Sequence, residues 1–322
     1  MIRIGFIGTG AISRRHFTAL QQLREQAEVV AVCDVVEAAA ARAAAPFGAR
    51  VYLSAYEMLQ RERLDALYIC LPPDAHVDQE LMAAARGIHL FVEKPLPLDL
   101  AKAETIARAV QAAGIVTAVG YHWRYFSHTQ VLRAALTGER VGLVLGYFLS
   151  SLPAKAWWRL KARSGGQVVE QAIHLFDLAR YLLGEVEEVW AAYARRGYPD
   201  EPGFDHEDVY TVTMRFASGA LASYAVSCLL HRRYLVGLDL LCQHRVYRLR
   251  ESGLEIEEPA GVRSIPLEND PALAENAAFL HAIRTGDRSG ILSDYADALK
   301  TQRVVMAANR AAETHQPVRV GL

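Results

Sequence analysis

The chain has 322 residues, which is enough for two ordinary domains. Hydrophobic residues make up 52% of the chain and charged residues 22%, a mixture typical of a globular protein and not of a disordered one. The formal net charge of −1 gives no reason to expect nucleic acid or a membrane surface as a partner. No apolar run approaches the roughly 20 residues that span a bilayer.

The first 120 residues alternate between short apolar segments and segments with helical periodicity. Helical spacing is clearest in Ser13–Gln26 and His76–Arg86. Such alternation predicts a doubly wound parallel sheet with helices on both faces. The predicted strands are 2–7, 28–33, 50–52, 64–71, 89–92 and 115–119.

The pattern changes after Gly120. Residues 186–258 are mostly strand-like, and Val209–Phe216 alternates apolar and polar side chains, as a half-buried antiparallel strand does. Ala217–Gly219 follows as a hairpin turn. We predict an α+β domain over residues 122–322, with a mostly antiparallel, open-faced sheet. Its predicted helices are 129–136, 168–183, 272–285 and 295–315.

A glycine-rich turn follows the first predicted strand. Gly8 and Gly10 stand where the strand ends and the first helix begins. A turn of this kind lets backbone N–H groups approach a pyrophosphate at the positive end of the helix. Ser13 takes the place of a third glycine or alanine, which slightly crowds the helix against the strand. The order of strand, turn and helix indicates a dinucleotide-binding Rossmann domain over residues 1–121, and a turn without a ligand is the alternative.

Asp34 ends the second predicted strand and bears on the choice of dinucleotide. A carboxylate at this place accepts the ribose hydroxyls and repels a 2′-phosphate, and the next two residues are valines without a cation to bind that phosphate. We therefore expect NAD. Arg14 and Arg15 could contact the phosphates of either dinucleotide or form a solvated helix face, so NADP stays open as an alternative.

Lys94 follows the fifth predicted strand, between Glu93 and Pro95. Open α/β sheets bind their ligands at the carboxyl ends of the strands, so this lysine is a candidate catalytic residue. The bond before Pro95 is a candidate for a cis peptide, because proline is the residue that tolerates one.

Four segments make the sequence resemble the Gfo/Idh/MocA family of oxidoreductases, the relatives of glucose–fructose oxidoreductase and inositol dehydrogenase. They are GTGAIS, LPPDAHVDQELMAAARGIHLFVEKP, GYHWRY and SGGQVVEQAIHLFDLARYLLG. The resemblance extends over nearly the whole chain; the second and fourth segments are specific, and the first is common to many Rossmann enzymes. It implies that Lys94 lies beside the nicotinamide and the substrate hydroxyl.

The family usually carries Asp-x-x-x-His in the helix after a Gly-Gly pair, and this chain has Glu170 and His174 there. Residues four apart on one helix project from the same face. A neutral histidine can accept a hydroxyl proton as hydride leaves the carbon, so we expect His174 to be the acid/base, with a core histidine as the alternative. Glu170 could orient His174, contact substrate or point elsewhere, and Asp177 is expected to fix local structure.

Further candidates follow from the same motifs. Tyr121, His122 and Arg124 follow the sixth strand and are expected to contact substrate. Trp158, which with Trp157 and Arg159 precedes the Gly-Gly pair, is a further candidate for a substrate contact. A core or interface role is the alternative for the two tryptophans. His231 and His244 have no evident role, and no metal site is expected. The predicted cofactor-binding residues are Gly8, Gly10, Ala11, Ile12, Asp34, Pro72, His76, Glu93 and Lys94. For His76, a structural hydrogen bond at the start of a helix is the alternative.

These observations predict an NAD(P)-dependent oxidoreductase that transfers a hydride between the nicotinamide and a secondary hydroxyl or carbonyl group. The resemblance implies a sugar, a polyol or a related compound as substrate. Redox-assisted elimination or glycoside cleavage is one alternative. A non-catalytic dinucleotide sensor is another, disfavoured because a sensor needs neither Lys94 nor His174. The scattered cysteines suit a cytoplasmic protein, and the resemblance implies a homodimer or homotetramer.

Overall fold

The computed structural model describes residues 1–321 of the chain. These residues form two compact units. Met1–Tyr125 and Asp270–Leu299 make up the first unit, and Phe126–Asn269 with the residues from Lys300 onward make up the second.

The first unit contains a six-stranded sheet of order β3-β2-β1-β4-β5-β6, in which every pair of neighbours is parallel. This is the strand order of the dinucleotide-binding Rossmann fold, as predicted. Its elements are β1 (Ile2–Ile7), α1 (Ala11–Gln22), β2 (Ala27–Cys33), α2 (Glu37–Ala44), β3 (Arg50–Tyr52), α3 (Ala55–Arg61), β4 (Ala66–Ile69), α4 (Gln79–Ala85), β5 (His89–Val92), α5 (Leu100–Ala113) and β6 (Thr117–Val119).

Aromatic rings fill the core of the first unit. Phe6 of β1 stacks on Tyr68 of β4 with ring centroids 4.6 Å apart, and Tyr68 stacks on Phe91 of β5 at 4.9 Å. Phe279 meets Phe91 edge-on at 5.6 Å. Three neighbouring strands are therefore joined by ring contacts of the kind that stabilise protein cores beyond area burial alone.

Phe279 belongs to α10 (Pro271–Thr285), which packs with the parallel sheet although it lies far along the chain. α11 (Tyr295–Thr314) follows it, and its first five residues also belong to the first unit. The predicted domain boundary after residue 121 divides the chain once, whereas the first unit takes in residues 270–299 as well. Helical periodicity predicts an apolar face on α10 but not which sheet that face covers.

The second unit contains a nine-stranded, mostly antiparallel sheet of order β14-β13-β12-β11-β7-β10-β9-β8-β15, in which only β7 and β10 pair in parallel. Its elements are α6 (Ser127–Ala135), β7 (Leu143–Ser151), α7 (Lys161–Ser164), α8 (Gln167–Glu170), α9 (Ile173–Leu183), β8 (Val186–Ala194), β9 (Val209–Phe216), β10 (Leu221–Leu230), β11 (Leu235–Leu241), β12 (Val246–Arg250), β13 (Gly253–Glu258), β14 (Gly261–Pro266) and β15 (Val318–Arg319).

β9 confirms the predicted half-buried strand. Tyr210, Val212, Met214 and Phe216 are buried, and the three residues between them are exposed. The hairpin turn after it is present as well, with the Gly219 N–H donating to the Phe216 carbonyl at 2.9 Å. Within residues 1–321, no helix is long and apolar enough to cross a membrane.

Candidate functional site

The predicted cofactor-binding residues gather at one edge of the parallel sheet. Gly8 and Gly10 follow β1, Asp34 follows β2, Pro72 and His76 follow β4, and Glu93 and Lys94 follow β5. Because these strands are parallel neighbours, their carboxyl ends lie at the same edge. Ala11 and Ile12 are the first two residues of α1, which begins there.

The glycine turn after β1 leaves room for a ligand. Gly8 has a φ of +90°, and a Cβ atom there would overlap the backbone carbonyl of Cys70, so only glycine fits. A Cβ atom on Gly10 would meet nothing within 4 Å, and no side chain caps the N-terminus of α1. The first amides of α1 can therefore receive a pyrophosphate. These residues fit a dinucleotide.

Ser13 is buried at the start of α1, whereas the two arginines that follow it are exposed. Ser13 is buried, and its hydroxyl donates to the Gly10 carbonyl at 2.7 Å, so the first helical turn accommodates it. Arg14 and Arg15 are both exposed on the first turns of α1.

Asp34 has a structural role. Its Oδ2 accepts hydrogen bonds from the backbone N–H of Thr9 at 2.8 Å and from the Thr9 hydroxyl at 2.7 Å, while Oδ1 accepts the Val36 N–H at 2.9 Å. The carboxylate thus ties the glycine turn to the end of β2. Each carboxylate oxygen has more than one lone pair, so these bonds leave acceptor capacity for a ribose hydroxyl.

Lys94 stands at the end of β5, partly buried. Its backbone N–H donates to Oε2 of Glu93 at 3.1 Å. The Lys94–Pro95 peptide bond is cis, which confirms the prediction.

Glu93 also belongs to a buried polar network on the inner side of α1. Its Oε1 lies 3.0 Å from Nε2 of His16, and Nδ1 of His16 lies 2.9 Å from the side-chain amide nitrogen of Asn276. Tyr68 donates its hydroxyl to the amide oxygen of Asn276 at 2.8 Å. Because an amide nitrogen only donates, Nδ1 of His16 accepts, and His16 is a neutral histidine that donates Nε2–H to Glu93.

Glu275 completes this network. One ligand atom from each of His16, Glu93 and Glu275 lies within 4.8 Å of the other two, and all three residues are buried. Burial and then the charge of Glu93 raise the pKa of Glu275 well above its usual value. A nitrogen and two carboxylate oxygens could in principle bind a cation, but the His16–Glu93 hydrogen bond already joins two of the three groups.

The residues after β6 that were predicted to contact substrate are buried. Tyr121, His122 and Arg124 are all buried. Burial, assisted by the nearby charges of Arg15 and Lys94, lowers the pKa of His122 to about 3. The guanidinium of Arg124 lies 2.7 Å from Oδ2 of Asp297 and also donates to a backbone carbonyl, which favours a structural role over a substrate contact.

His76 is buried after β4 and is paired with Glu80 of α4. Nδ1 of His76 makes a short hydrogen bond to Oε1 of Glu80, while Nε2 has no hydrogen-bond partner among the described residues. The Lys102 side chain donates to the His76 carbonyl at 2.6 Å. Glu80 therefore fixes which ring nitrogen of His76 stays available.

The predicted helix over 168–183 is interrupted between Glu170 and His174. α8 ends at Glu170 and α9 begins at Ile173. The Ala172 N–H donates to the carbonyl of Gln167, five residues back, at 2.9 Å, so the turn between them is wider than an α-helical one. The expectation of a continuous helix over 168–183 was wrong for this reason, and the shared face of Glu170 and His174 stays a prediction. Glu170 is buried and His174 is partly exposed at the start of α9.

Trp158 is partly exposed in the second unit. It meets Trp157 edge-on, with ring centroids 5.6 Å apart, and the ammonium of Lys155 lies 5.2 Å from its ring centroid. Its backbone carbonyl lies 3.0 Å from Nε2 of His206. Asp177 fixes local structure, as expected, because it accepts the Thr301 hydroxyl at 2.9 Å. His231 and His244 are exposed.

Sequence reasoning missed His16, Glu80, Glu275 and Asn276. Each is a polar residue on a helix face that is otherwise apolar or turned inward. That interruption of the apolar pattern is the one signal in the sequence that points to them.

Comparison with known proteins supports the class that the fold and the glycine turn define, a nicotinamide-dependent oxidoreductase. Residues 2–121 match the profile of an oxidoreductase family with an NAD-binding Rossmann fold, and residues 130–248 match that of the GFO/IDH/MocA C-terminal domain. Together the two profiles match well over half of the chain. The chain belongs to the GFO/IDH/MocA family of oxidoreductases, and this confirms the predicted family, class of enzyme and NAD cofactor.

Individual relatives agree with this assignment. The chain is 25% identical to a myo-inositol 2-dehydrogenase of Thermotoga maritima, over 99% of this chain and 98% of the relative. It is 33% identical to an inositol 2-dehydrogenase of Rhizobium meliloti, over 57% of this chain and 56% of the relative. Among solved structures, the WlbA dehydrogenase of Bordetella pertussis, in complex with NADH and UDP-GlcNAcA, is 25% identical with a TM-score of 0.82, over 100% of this chain and 99% of that one.

Proposed function

We propose that the protein is a dehydrogenase that oxidises a secondary hydroxyl group of a sugar, a polyol or a related compound, or catalyses the reverse reduction. The observation that carries this proposal is the place of Lys94: it stands at the carboxyl end of β5, at the sheet edge where the glycine turn follows β1. The relatives named for inositol and for a UDP-sugar complex support a hydroxylated substrate.

The reaction divides between cofactor and protein. When bound, NAD would supply the hydride acceptor, C4 of its nicotinamide. The ammonium of Lys94 stabilises the negative charge that grows on the substrate oxygen as its proton leaves, and His174 receives that proton. Glu170 is buried beside the wide turn that precedes α9, and we propose that it orients the start of that helix and His174 with it.

The residues proposed to bind the cofactor lie at the carboxyl-end edge of the parallel sheet. Amides at the start of α1 would bind the pyrophosphate, Asp34 would accept a ribose hydroxyl, and Pro72, His76 and Glu93 would lie toward the nicotinamide half. Trp158, Tyr121 and His122 are proposed as substrate contacts.

The test is a panel of inositols, sugars and sugar acids, each assayed with NAD at 340 nm. NADH formed in proportion to one class of substrate supports the proposal. A protein that binds NAD but turns over no member of the panel would act as a sensor. Release of a leaving group without net NADH would point to elimination or glycoside cleavage.

We propose that NAD is preferred to NADP because of Asp34. A carboxylate opposite a phosphate dianion costs on the order of several kcal/mol, and each 1.4 kcal/mol is about a factor of ten, so a preference of ~100-fold follows after screening. Asp34→Ser combined with Val35→Arg removes the repulsion and supplies a cation. Because Asp34 also holds Thr9, Thr9→Val serves as a control for a loosened glycine turn. Equal kcat/KM for both cofactors in the parent would contradict the assignment.

We also propose that the protein is a cytoplasmic homodimer or homotetramer. The exposed face of β9 continues onto β10, where Leu221 is 45% exposed, and a face of this kind suits association. Sedimentation should show particles larger than the 35.6 kDa chain, and Leu221→Lys should shift them toward that mass. The four cysteines are free, as expected in a reducing compartment, and cell fractionation tests the location.

A further inference from the structure

Glu275 is an acid buried on the inward face of α10, among residues of the aromatic core. Only 3% of its surface is exposed, and its Oε2 has no hydrogen-bond partner among the described residues. A carboxylate in such a place is costly unless it is paired or protonated. Glu275, Glu93 and His16 form one buried cluster, in which one ligand atom of each residue lies within 4.8 Å of the other two.

The hydrogen bonds of the cluster decide where its charge lies. His16 is neutral, because its Nδ1 accepts from Asn276 and its Nε2–H is donated to Glu93. Glu93 accepts this N–H and also the backbone N–H of Lys94, so Glu93 is the acid that is stabilised as an anion. Two carboxylates this close in a dry site do not both ionise, and Glu275 is therefore the one that keeps its proton.

The other groups that face Glu275 do not change this distribution. Arg15 of α1 lowers the pKa of Glu275 and Asp270, at the start of α10, raises it, so their effects oppose each other. On β4, burial raises the pKa values of Tyr68 and Cys70 well above their usual range, and both stay neutral. Glu93 is left as the one anion of the cluster.

We propose that Glu275 is a positioning residue for Lys94 in the dehydrogenase proposed above. As a neutral acid beside Glu93, it leaves a single negative charge in the cluster, and that carboxylate holds the Lys94 backbone at the end of β5. Glu275 does not touch the reacting atoms. It acts through Glu93, and the proposal rests on the proposed function because that function gives Lys94 its role.

Two variants test whether the neutral side chain of Glu275 is what the site needs. Glu275→Gln keeps the shape and the lack of charge, and we expect it to retain most of the turnover. Glu275→Ala removes a side chain that reaches within 4.8 Å of the Glu93 carboxylate, so Glu93 gains room to shift. We expect kcat to fall by roughly 10–100-fold, as when groups that orient the residues of a site are removed, while the dissociation constant for NAD stays close to that of the parent. Glu25→Gln, which changes an exposed acid of the same unit, is the matched control.

Unfolding provides a second readout that does not need a substrate. In the unfolded chain Glu275 ionises near its usual pKa of about 4.3. In the folded protein burial and the charge of Glu93 raise its pKa, so the parent loses stability relative to Glu275→Gln as the pH rises above the unfolded value. The unfolding constant of the parent, divided by that of Glu275→Gln, should rise as the pH increases above about 4.3, by up to about tenfold per pH unit. Glu25→Gln should show no such trend.

The outcomes distinguish this inference from the proposed function. If the parent turns over a substrate but Glu275→Ala keeps its kcat, or if the two unfolding constants keep a fixed ratio from pH 5 to 8, the positioning role is wrong and the dehydrogenase stands. If the parent reduces NAD with no member of the panel, the proposed function fails, and the role of Glu275 toward catalysis fails with it.

Discussion

Replacing Gly120 by alanine should displace the Glu93 carboxylate, although Glu93 itself is unchanged. Gly120 follows β6, and its N–H donates to the Val92 carbonyl at 3.0 Å. A Cβ atom on Gly120 would lie 2.7 Å from Oε2 of Glu93 and closer still to Oε1, so the carboxylate has to move. The φ of Gly120 lies outside the left-handed region, and the substitution therefore strains the carboxylate and not the backbone.

The size of the effect follows from the hydrogen bonds that Glu93 loses. It is 3% exposed and accepts N–H groups from the His16 ring and the Lys94 backbone. A hydrogen bond to a charged group contributes about 1.5–3 kcal/mol, so losing both costs about 3–6 kcal/mol if the contributions add. That is a large part of the roughly 5–15 kcal/mol by which a typical protein is stable.

Denaturant unfolding and turnover measure this prediction together. Gly120→Ala should lower the free energy of unfolding by several kcal/mol, and it should lower kcat in the fraction that remains folded. Gly290→Ala is the matched control, since a Cβ atom there would lie 3.5 Å from the Cβ of Ala278, an ordinary contact, and its φ is also unstrained. A Gly120→Ala protein as stable and as active as Gly290→Ala would refute the reasoning.

Three further predictions follow from the site. Lys94→Ala should lower kcat by roughly 10²–10⁴-fold with NAD affinity nearly unchanged. Initial rates with the identified substrate would measure the first effect, and a binding titration with NAD the second. His174→Ala should lower kcat comparably, with partial recovery at high pH; a loss of thermal stability at unchanged kcat would instead identify a core histidine. His122, whose pKa is about 3 in the folded protein and near 6.5 when unfolded, should make stability fall as the pH drops below about 6.5, by up to roughly 1.4 kcal/mol per unit. Urea unfolding of the parent and of His122→Asn between pH 7 and 5 should show this slope in the difference between their free energies of unfolding, to which Glu275 contributes equally in both.

Local patterns in the sequence were sufficient for the elements near the cofactor site. The apolar segments that become β1, β2, β4 and β5 stand out because strands buried on both faces are almost continuously hydrophobic. The turn at Gly8 could be predicted because the strand, the glycine and the helix follow one another directly along the chain. Since parallel strands share a direction, the order of the elements also predicted that Asp34 and Lys94 lie at the same edge.

Features that depend on distant contacts could not be predicted in the same way. The amide of Asn276 reaches His16 across 260 residues of sequence, and no local pattern relates the two. The wide turn between Glu170 and His174 depends on where the Ala172 N–H finds its acceptor, whereas the sequence there is compatible with an unbroken helix. Spacing alone therefore did not predict the interruption of the helix between those two residues.

A polar residue on an inward helix face nevertheless contains information that periodicity discards. His16 lies between buried Ser13 and Phe17 on α1, and Glu275 lies between buried Ala272 and Phe279 on α10. Burying such a group costs several kcal/mol unless it is hydrogen-bonded or, for an acid, protonated, so each predicts either a polar partner in the core or a raised pKa before the surroundings are known. Glu93 is such a partner for His16, and it stands next to the lysine that the motif singles out. In this chain the polar interruption at His16 therefore indicates where α1 is joined to the carboxyl end of β5.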